Sequence, residues 1–593
     1  MNATHCVAVP AARGKLRRGV LSILIAIAAS VAVLMASPSV ADEDAAADVI
    51  FVGGDVYTMS ATQSRAEALA IRSGRIIAVG SNRDIRQLAR RGVKVVNLRG
   101  AFVMPGIVDG HVHPVTGGLK ALYECSFPFT ATPAQIESAV GACAKRIPAG
   151  TWIRGGQWDS GFFDTHKIES PRAFLDRITD RHPVVLVDDS LHNGWANSAA
   201  LKAMGIDATT PDPDGGKFVR DAAGLPNGLM IENAYRQIFR PKLPSWTADQ
   251  IRAAAAEANR IANAYGITAV KDANALNEYV EAYHTLDQSG QLKMHVATSL
   301  TTPTGSRVAP LDYAALESMR DRFQSGHVHT AFVKLFLDGV PTPARTAAMI
   351  APYVPDATYG SGFTGEMNFG IGTLARDIVE LDRRGFTVKI HTAGDRSVRS
   401  ALDAIEVARR INGDSGRRHE LAHAGFIDPK DVPRFSQLDV VADFSPILWH
   451  PSPIVRSIIS AVGERGRSYW PTRTLLESGA TLLAGSDWPA AVPDQNPWIG
   501  IEAMVTRRDP RATSDEALWA AEAVGLEAAL KLYTAGTARA LRLDDRIGSL
   551  EVGKSADFIV LDVSPFNMPI ENVGDTQVRE TYFEGQRVFV RSK

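Results

Sequence analysis

The chain predicts an α/β fold, a distorted (β/α)8 TIM barrel carrying a composite β-sandwich, on three observations. Eight short apolar segments alternate with helix-patterned stretches through its middle. Five of those segments carry a His, Lys or Asp at or near their C-terminal ends. Val- and Ile-rich runs with Gly turns flank the middle on both sides, as expected of one sandwich assembled from both termini.

Taken in order, residues 1–41 read as an export signal. Arg13, Lys15, Arg17 and Arg18 precede an apolar run over residues 20–35, and Ser39-Val40-Ala41 is a small-x-small cleavage site before Asp42 and Glu43. The mature protein is therefore expected to be periplasmic or secreted, without stable membrane association once the signal is cleaved. Cys6 leaves with the signal, so Cys125 and Cys143 remain, either as a disulfide or as two buried thiols.

Residues 42–103 read as the first part of the sandwich and 541–593 as its completion. Between them, residues 104–540 supply the barrel, with strands expected at 107–113, 267–274, 294–298, 332–337, 387–391, 419–423, 440–444 and 481–487. Thr247 and Gln250 form a capping box that opens a helix running to Gly266, and another helix is expected over 397–411. Residues 114 to about 242 are too long for one barrel connection and contain their own strand and turn signals, so they read as an insertion that walls the substrate pocket.

Composition narrows the function. A formal net charge of −1, with no long basic or acidic run, argues against nucleic acid as a partner. Assembly into a homo-oligomer is left open. The informative pattern is the set of strand ends. His111 and His113 are two apart, so on a strand they point the same way. Lys334 lies in the fourth strand, His391 ends the fifth, His423 the sixth and Asp487 the eighth. In such a barrel these ends share one face, where active sites form. Four imidazoles, a carboxylate and an amine in apolar strands are costly to bury without a common purpose.

That set suits one or two divalent metals, with zinc favoured by the nitrogen-rich donors. A buried lysine can be a neutral amine and add carbon dioxide, and an N-carboxylated Lys334 would bridge two metals. Lys389, deeper in its strand, is the less favoured bridge. Asp487 is expected to ligate metal and to act as general base, then acid, toward a leaving amine. Trp158, Asp159, His192, Glu232 and His450 are second-tier pocket candidates, with ordinary structural roles as the rival reading for each. Asp395 and Arg396 are expected to pair and brace the fifth-strand loop.

At these residues the chain resembles the amidohydrolase superfamily, within it the amidohydrolase-3 group that includes the N-substituted formamide deformylases. The resemblance rests jointly on Pro-Gly-Ile-Val-Asp-Gly-His-Val-His at 105–113, Ile-His-Thr-Ala-Gly-Asp-Arg at 390–396, Ala-Gly-Ser-Asp-Trp-Pro at 484–489 and Gly-Ser-Leu-Glu-Val-Gly-Lys-Ser-Ala-Asp at 548–557. The strings at 156–159 and 192–201 in the insertion add to it. It implies metal-dependent hydrolysis of a small amide-type substrate, and a carboxylated lysine at Lys334. Two places depart from the usual pattern. The sixth strand reads Glu420-Leu-Ala-His423-Ala-Gly425 where relatives often have Arg-x-Glu-His-Ala-Gln, and the seventh ends in Ser445-Pro446 rather than Gln-Pro. Two rival functions remain. Mononuclear deaminases of this type carry a Glu soon after the fifth-strand His, which residues 392–398 lack. A non-catalytic binding protein would not be expected to keep the whole ligand set.

Overall fold

A computed structural model describes residues 46–159, 161–303, 308–356, 359–490, 492–511 and 515–592. The export signal expected over residues 1–41 lies outside the described residues. None of the described helices is long and apolar enough to cross a membrane.

Eight parallel strands form the central sheet: β1 (Ile107–Val112), β2 (Ile267–Ala275), β3 (His295–Leu300), β4 (Val328–Phe336), β5 (Thr387–Thr392), β6 (Glu420–His423), β7 (Val441–Phe444) and β8 (Thr481–Ala484). They pair in sequence order, so each expected segment occupies its expected place in the barrel. Most of their side chains are buried, as strands packed on both faces must be. Closure between β1 and β8 is made past the strand ends. The Asp487 amide donates to the His111 carbonyl at 2.7 Å, and the His113 amide to the Trp488 carbonyl at 2.8 Å.

The helix Ala248–Ala264 starts at the expected capping box, where the Thr247 side chain accepts from the Gln250 amide. The helix Asp395–Asn412 begins two residues before the expected start, because Gly394 rather than a polar side chain caps it. Asp395 and Arg396 brace the adjoining loop through separate partners, not through each other. Asp395 accepts from the Ile350 amide at 2.6 Å, and the Arg396 guanidinium donates to the Thr364 carbonyl at 3.4 Å and to the Gly365 carbonyl.

Phe558–Leu561, from the C-terminal part of the chain, pairs antiparallel with Phe102–Pro105, which leads directly into β1. This joins the N- and C-terminal parts of the described residues into one six-stranded sheet, which packs on a four-stranded one. Phe51 from the smaller sheet meets Phe558 and Tyr582 edge-on, with ring centroids 5.0 Å from each. The insertion is a separate six-stranded mixed sheet with its own apolar core. Cys125 and Cys143 are disulfide-bonded there, tying an edge strand to the helix Pro133–Arg146.

Candidate metal centre

The barrel interior is charged as well as apolar. Lys271, Lys389, Glu420 and Asp443 are fully buried. Such charges persist only when paired, and these are paired in a chain. Lys271 contacts Glu420; Lys389 lies 3.1 Å from Glu420 Oε2 and also contacts Asp443. Asp443 Oδ2 in turn accepts from His111 Nδ1 at 2.8 Å. Burial alone would lower the Lys389 pKa, but Asp443 and Glu420 outweigh it and hold the ammonium above its usual range.

That pairing orients His111. With Nδ1 engaged by Asp443, Nε2 is buried and has no hydrogen-bond partner among the described residues. It faces Asp487, whose Oδ1 is 3.5 Å away. His113, just beyond β1, places Nε2 3.3 Å from the same oxygen, and His423 Nδ1 is 3.9 Å from Asp487 Oδ2. His111, His113 and Asp487 each offer an atom to a group lying within 4.8 Å of one another. The His423 ring is 4.9 Å from that of His111 and 4.6 Å from that of His391. His391 donates from Nε2 to the Gly339 carbonyl at 2.9 Å, which leaves Nδ1 as its bare nitrogen. Burial first, with the nearby Lys334 amine adding to it, pushes His111, His391 and His423 well below the usual histidine range. They are neutral imidazoles, the form that binds metal.

His423 and Asp487 both have left-handed backbones, with φ of +71° and +61°. For residues with a Cβ this conformation is strained, and such strain concentrates at functional sites. The turn around Asp487 is anchored by Asp109 of β1. Asp109 accepts from the Ser486 hydroxyl at 2.7 Å, the Ser486 amide at 3.0 Å and Gln495 Nε2 at 3.0 Å. Gly485 permits the approach, since a Cβ there would lie 2.3 Å from the His111 amide nitrogen.

Lys334 lies beside these groups. It is buried, lines the same cavity, and has Nζ 5.0 Å from the Phe336 ring centroid. Burial, with the positive charge of Lys389, lowers it to about 7. Lys389 itself is consumed by its ion pairs, so Lys334 is the barrel lysine that faces the cavity.

The cavity has a volume of about 1100 Å³. The six strand-end residues expected as ligands line one wall, and His192 lines the insertion side. Of the five second-tier candidates His192 lines the cavity, whereas Trp158, Asp159, Glu232 and His450 do not. Along the strand Ile153–Trp158, side chains alternate. Gln157 faces the cavity and donates to the Pro489 carbonyl at 2.6 Å, so Trp158 turns into the insertion core, 5.0 Å from Phe163 and 6.4 Å from Trp195. His450 lies off the cavity, its Nδ1 3.7 Å from Asp509. Glu232 sits behind the cavity wall rather than on it. It is buried and hydrogen-bonded to His192 at 3.0 Å. Asp443 is the residue that sequence reasoning missed, because attention to strand ends passed over a carboxylate one position earlier. Its signal was an aspartate inside an apolar run, which must have a partner.

Gly425 shows what one departure from the usual pattern does. A Cβ at this position would lie 1.9 Å from the Tyr469 ring, so glycine there lets Tyr469 form part of the cavity wall.

A barrel with His, Lys and Asp at its strand ends defines a class of metal-dependent hydrolases, and comparison with known proteins gives the family. The profile of the amidohydrolase family matches residues 94–589. The protein LONG AFTER FAR-RED 3 of Arabidopsis thaliana is 30% identical over 92% of this chain and 92% of its own length. The N-substituted formamide deformylase of Arthrobacter pascens is 27% identical over 91% of this chain and 97% of its own length. An uncharacterized metal-dependent hydrolase from Pyrococcus horikoshii shares the fold, with a TM-score of 0.69 at 23% identity, covering 88% of this chain and 99% of that one. The chain belongs to the amidohydrolase family and is a metal-dependent amidohydrolase.

Proposed function

We propose that this enzyme hydrolyses the C–N bond of an amide, formamide or cyclic amide, with divalent metal held by His111, His113, His391, His423 and Asp487. One observation carries the reading: His111 Nε2 is buried, unpartnered and aimed at Asp487, with His113 and His423 converging on the same carboxylate. A neutral imidazole in that position is satisfied by a cation. The imidazole-rich donor set suits zinc. When bound, the metal polarises the substrate carbonyl and makes hydroxide available near neutral pH.

Asp487 supplies the proton handling. Its carboxylate lies on the cavity wall, where it can take a proton from water and return it to the leaving nitrogen. Lys334, with its pKa lowered to about 7, has the neutral amine that carbon dioxide needs. Addition forms an N–C bond and releases one proton, leaving a carbamate suited to bridging two metals. The name of the Arthrobacter relative, a formamide deformylase, supports the amide class. Export to the periplasm or the medium belongs to the same proposal, supported by the N-terminal pattern and by the disulfide, which persists in oxidising compartments.

Metal analysis of the purified protein, paired with a screen of N-formyl, N-acyl and cyclic amides, tests this. The expected result is two metals per chain, falling to one in Lys334→Ala. Full activity and both metals in Lys334→Ala would refute the bridge. No metal after metal-replete purification would refute the reading as a whole.

A further inference from the structure

The cavity extends away from the metal centre along the helix Pro114–Tyr123, which follows His113 directly. Thr116, Leu119, Lys120 and Glu124 line it from that helix and its C-cap, at a spacing that puts them on one face. The insertion adds Arg154, on the strand Ile153–Trp158, and Arg240, on the short turn Arg240–Lys242.

Neutral groups hold two of these cations in place. Lys120 Nζ donates to Gln157 Oε1, and Gln157 Nε2 donates to the Pro489 carbonyl at 2.6 Å, just beyond Asp487. The Arg154 guanidinium donates to the Pro244 carbonyl and lies over the Trp246 ring, 4.4 Å from its centroid. Among the described residues, no carboxylate lies within ion-pair distance of Lys120, Arg154 or Arg240. Glu124 is the carboxylate whose charge reaches Lys120 and Arg154, and all three cations act on it in return. Asp189 and Glu278 also line the cavity, but neither acts on Lys120 or Arg154. Burial raises the Glu124 carboxyl above its usual range and lowers Lys120 to about 8. One carboxylate thus stands against three cations. Arg236, also on the cavity wall, differs in being matched by Glu232 at 3.6 Å. Unmatched like charges in a cleft repel one another and focus their field on an incoming anion.

We propose that Lys120, Arg154 and Arg240 bind a carboxylate on the substrate, remote from the scissile bond, and that the enzyme therefore selects anionic amides over neutral ones. This rests on the C–N hydrolase reading and names its substrate class. The planar guanidinium forks suit a carboxylate, and each charged hydrogen bond made in the cavity offsets the repulsion among the three cations. The helix sets the reach. At about 1.5 Å of rise per residue, Lys120 stands about 10 Å from His113. Thr116 and Leu119 lie between them along the helix, as wall for the chain that joins the carboxylate to the amide.

The test compares kcat/KM, by release of primary amine, within two matched pairs, with metal content measured in parallel. N-formyl-6-aminohexanoate against N-formylhexylamine carries the carboxylate on the amine side; N-methyladipamate against N-methylhexanamide carries it on the acyl side. Wild type should favour the carboxylate member of at least one pair by about tenfold to a hundredfold, the range of one or two charge-assisted hydrogen bonds. Arg240→Met and Lys120→Met should each lower that ratio with metal content unchanged. Glu124→Gln, which removes the opposing acid, should raise it. Added salt should lower it, since the site opens to solvent. Equal kcat/KM within both pairs, or a ratio that all three substitutions leave unmoved, overturns the carboxylate site and leaves the hydrolase reading standing. A metal-loaded wild type that releases no amine from any of the four compounds overturns the hydrolase reading and this inference with it.

Discussion

Replacing Asp443 with Asn should weaken metal binding without touching any residue placed at the metal. Asp443 Oδ2 is 2.8 Å from His111 Nδ1, and it shares Lys389 with Glu420, which also holds Lys271. Two effects follow from these contacts. Losing a carboxylate behind a ligating histidine costs about 10–100-fold in metal affinity, because the ring's orientation and basicity both depend on it. Losing the charge leaves two buried ammoniums, Lys271 and Lys389, on the single carboxylate of Glu420. Breaking a buried pair in this way costs about 3–5 kcal/mol of stability. The two effects separate in Asp443→Asn combined with Lys389→Met, which removes one charge of each sign. The double variant should recover most of the lost stability in calorimetry but not the lost affinity in chelator competition. An Asp443→Asn protein that binds metal as tightly as wild type would refute the argument that this network orients His111.

Three further outcomes are expected. Gly485→Ala places a Cβ 2.3 Å from the His111 backbone nitrogen, so one chain segment must shift. A displacement of about 1 Å at a reacting site costs about 100-fold, and kcat/KM near wild type would show that the turn tolerates a side chain. At the base of the barrel, burial alone would lower the His327 pKa, but Glu584 and Asp287 outweigh it and raise it to about 9. Its contribution to stability is therefore complete below about 6.5 and is lost as pH rises through about 9; the shift alone would give about 3 kcal/mol, and solvent screening of this partly exposed group leaves less. Urea unfolding at pH 6 and pH 10 should show this loss in wild type and less of it in His327→Gln; equal losses would refute it. Cys143→Ser opens a loop closed across 18 residues, worth about 3 kcal/mol by chain entropy. Identical melting curves for this variant and the oxidised wild type would contradict that.

Much of the architecture was legible because it is written in local periodicity. Barrel strands are short apolar runs buried on both faces, and all eight expected segments sit in the central sheet in chain order. Residues at the strand ends could be brought together on paper, because parallel strands in a barrel present those ends on one face. Reasoning failed where a side chain's direction or partner depended on another element. Trp158 and Gln157 are adjacent, and the pleat alone does not say which of them faces inward. Glu232 could be read as a pocket residue or as an ordinary structural one until the insertion folded it against His192 and the loop after β4. Lys334 was favoured over Lys389 by depth in the strand, but the ion pairs that occupy Lys389 came only from other strands.

The sequence by itself determined the fold class, the terminal sandwich, the insertion and the set of side chains offered at the barrel's strand ends, because each is encoded by patterns within a few residues. Only the tertiary structure decided which groups are charged and which are free. It gave Lys389 to Asp443 and Glu420, left Lys334 facing the cavity, and turned His111 by a hydrogen bond from a strand more than 300 positions away in sequence. Those outcomes depend on burial and on distances between remote chain segments, and a charge in a low-dielectric interior is governed by the partner it meets there.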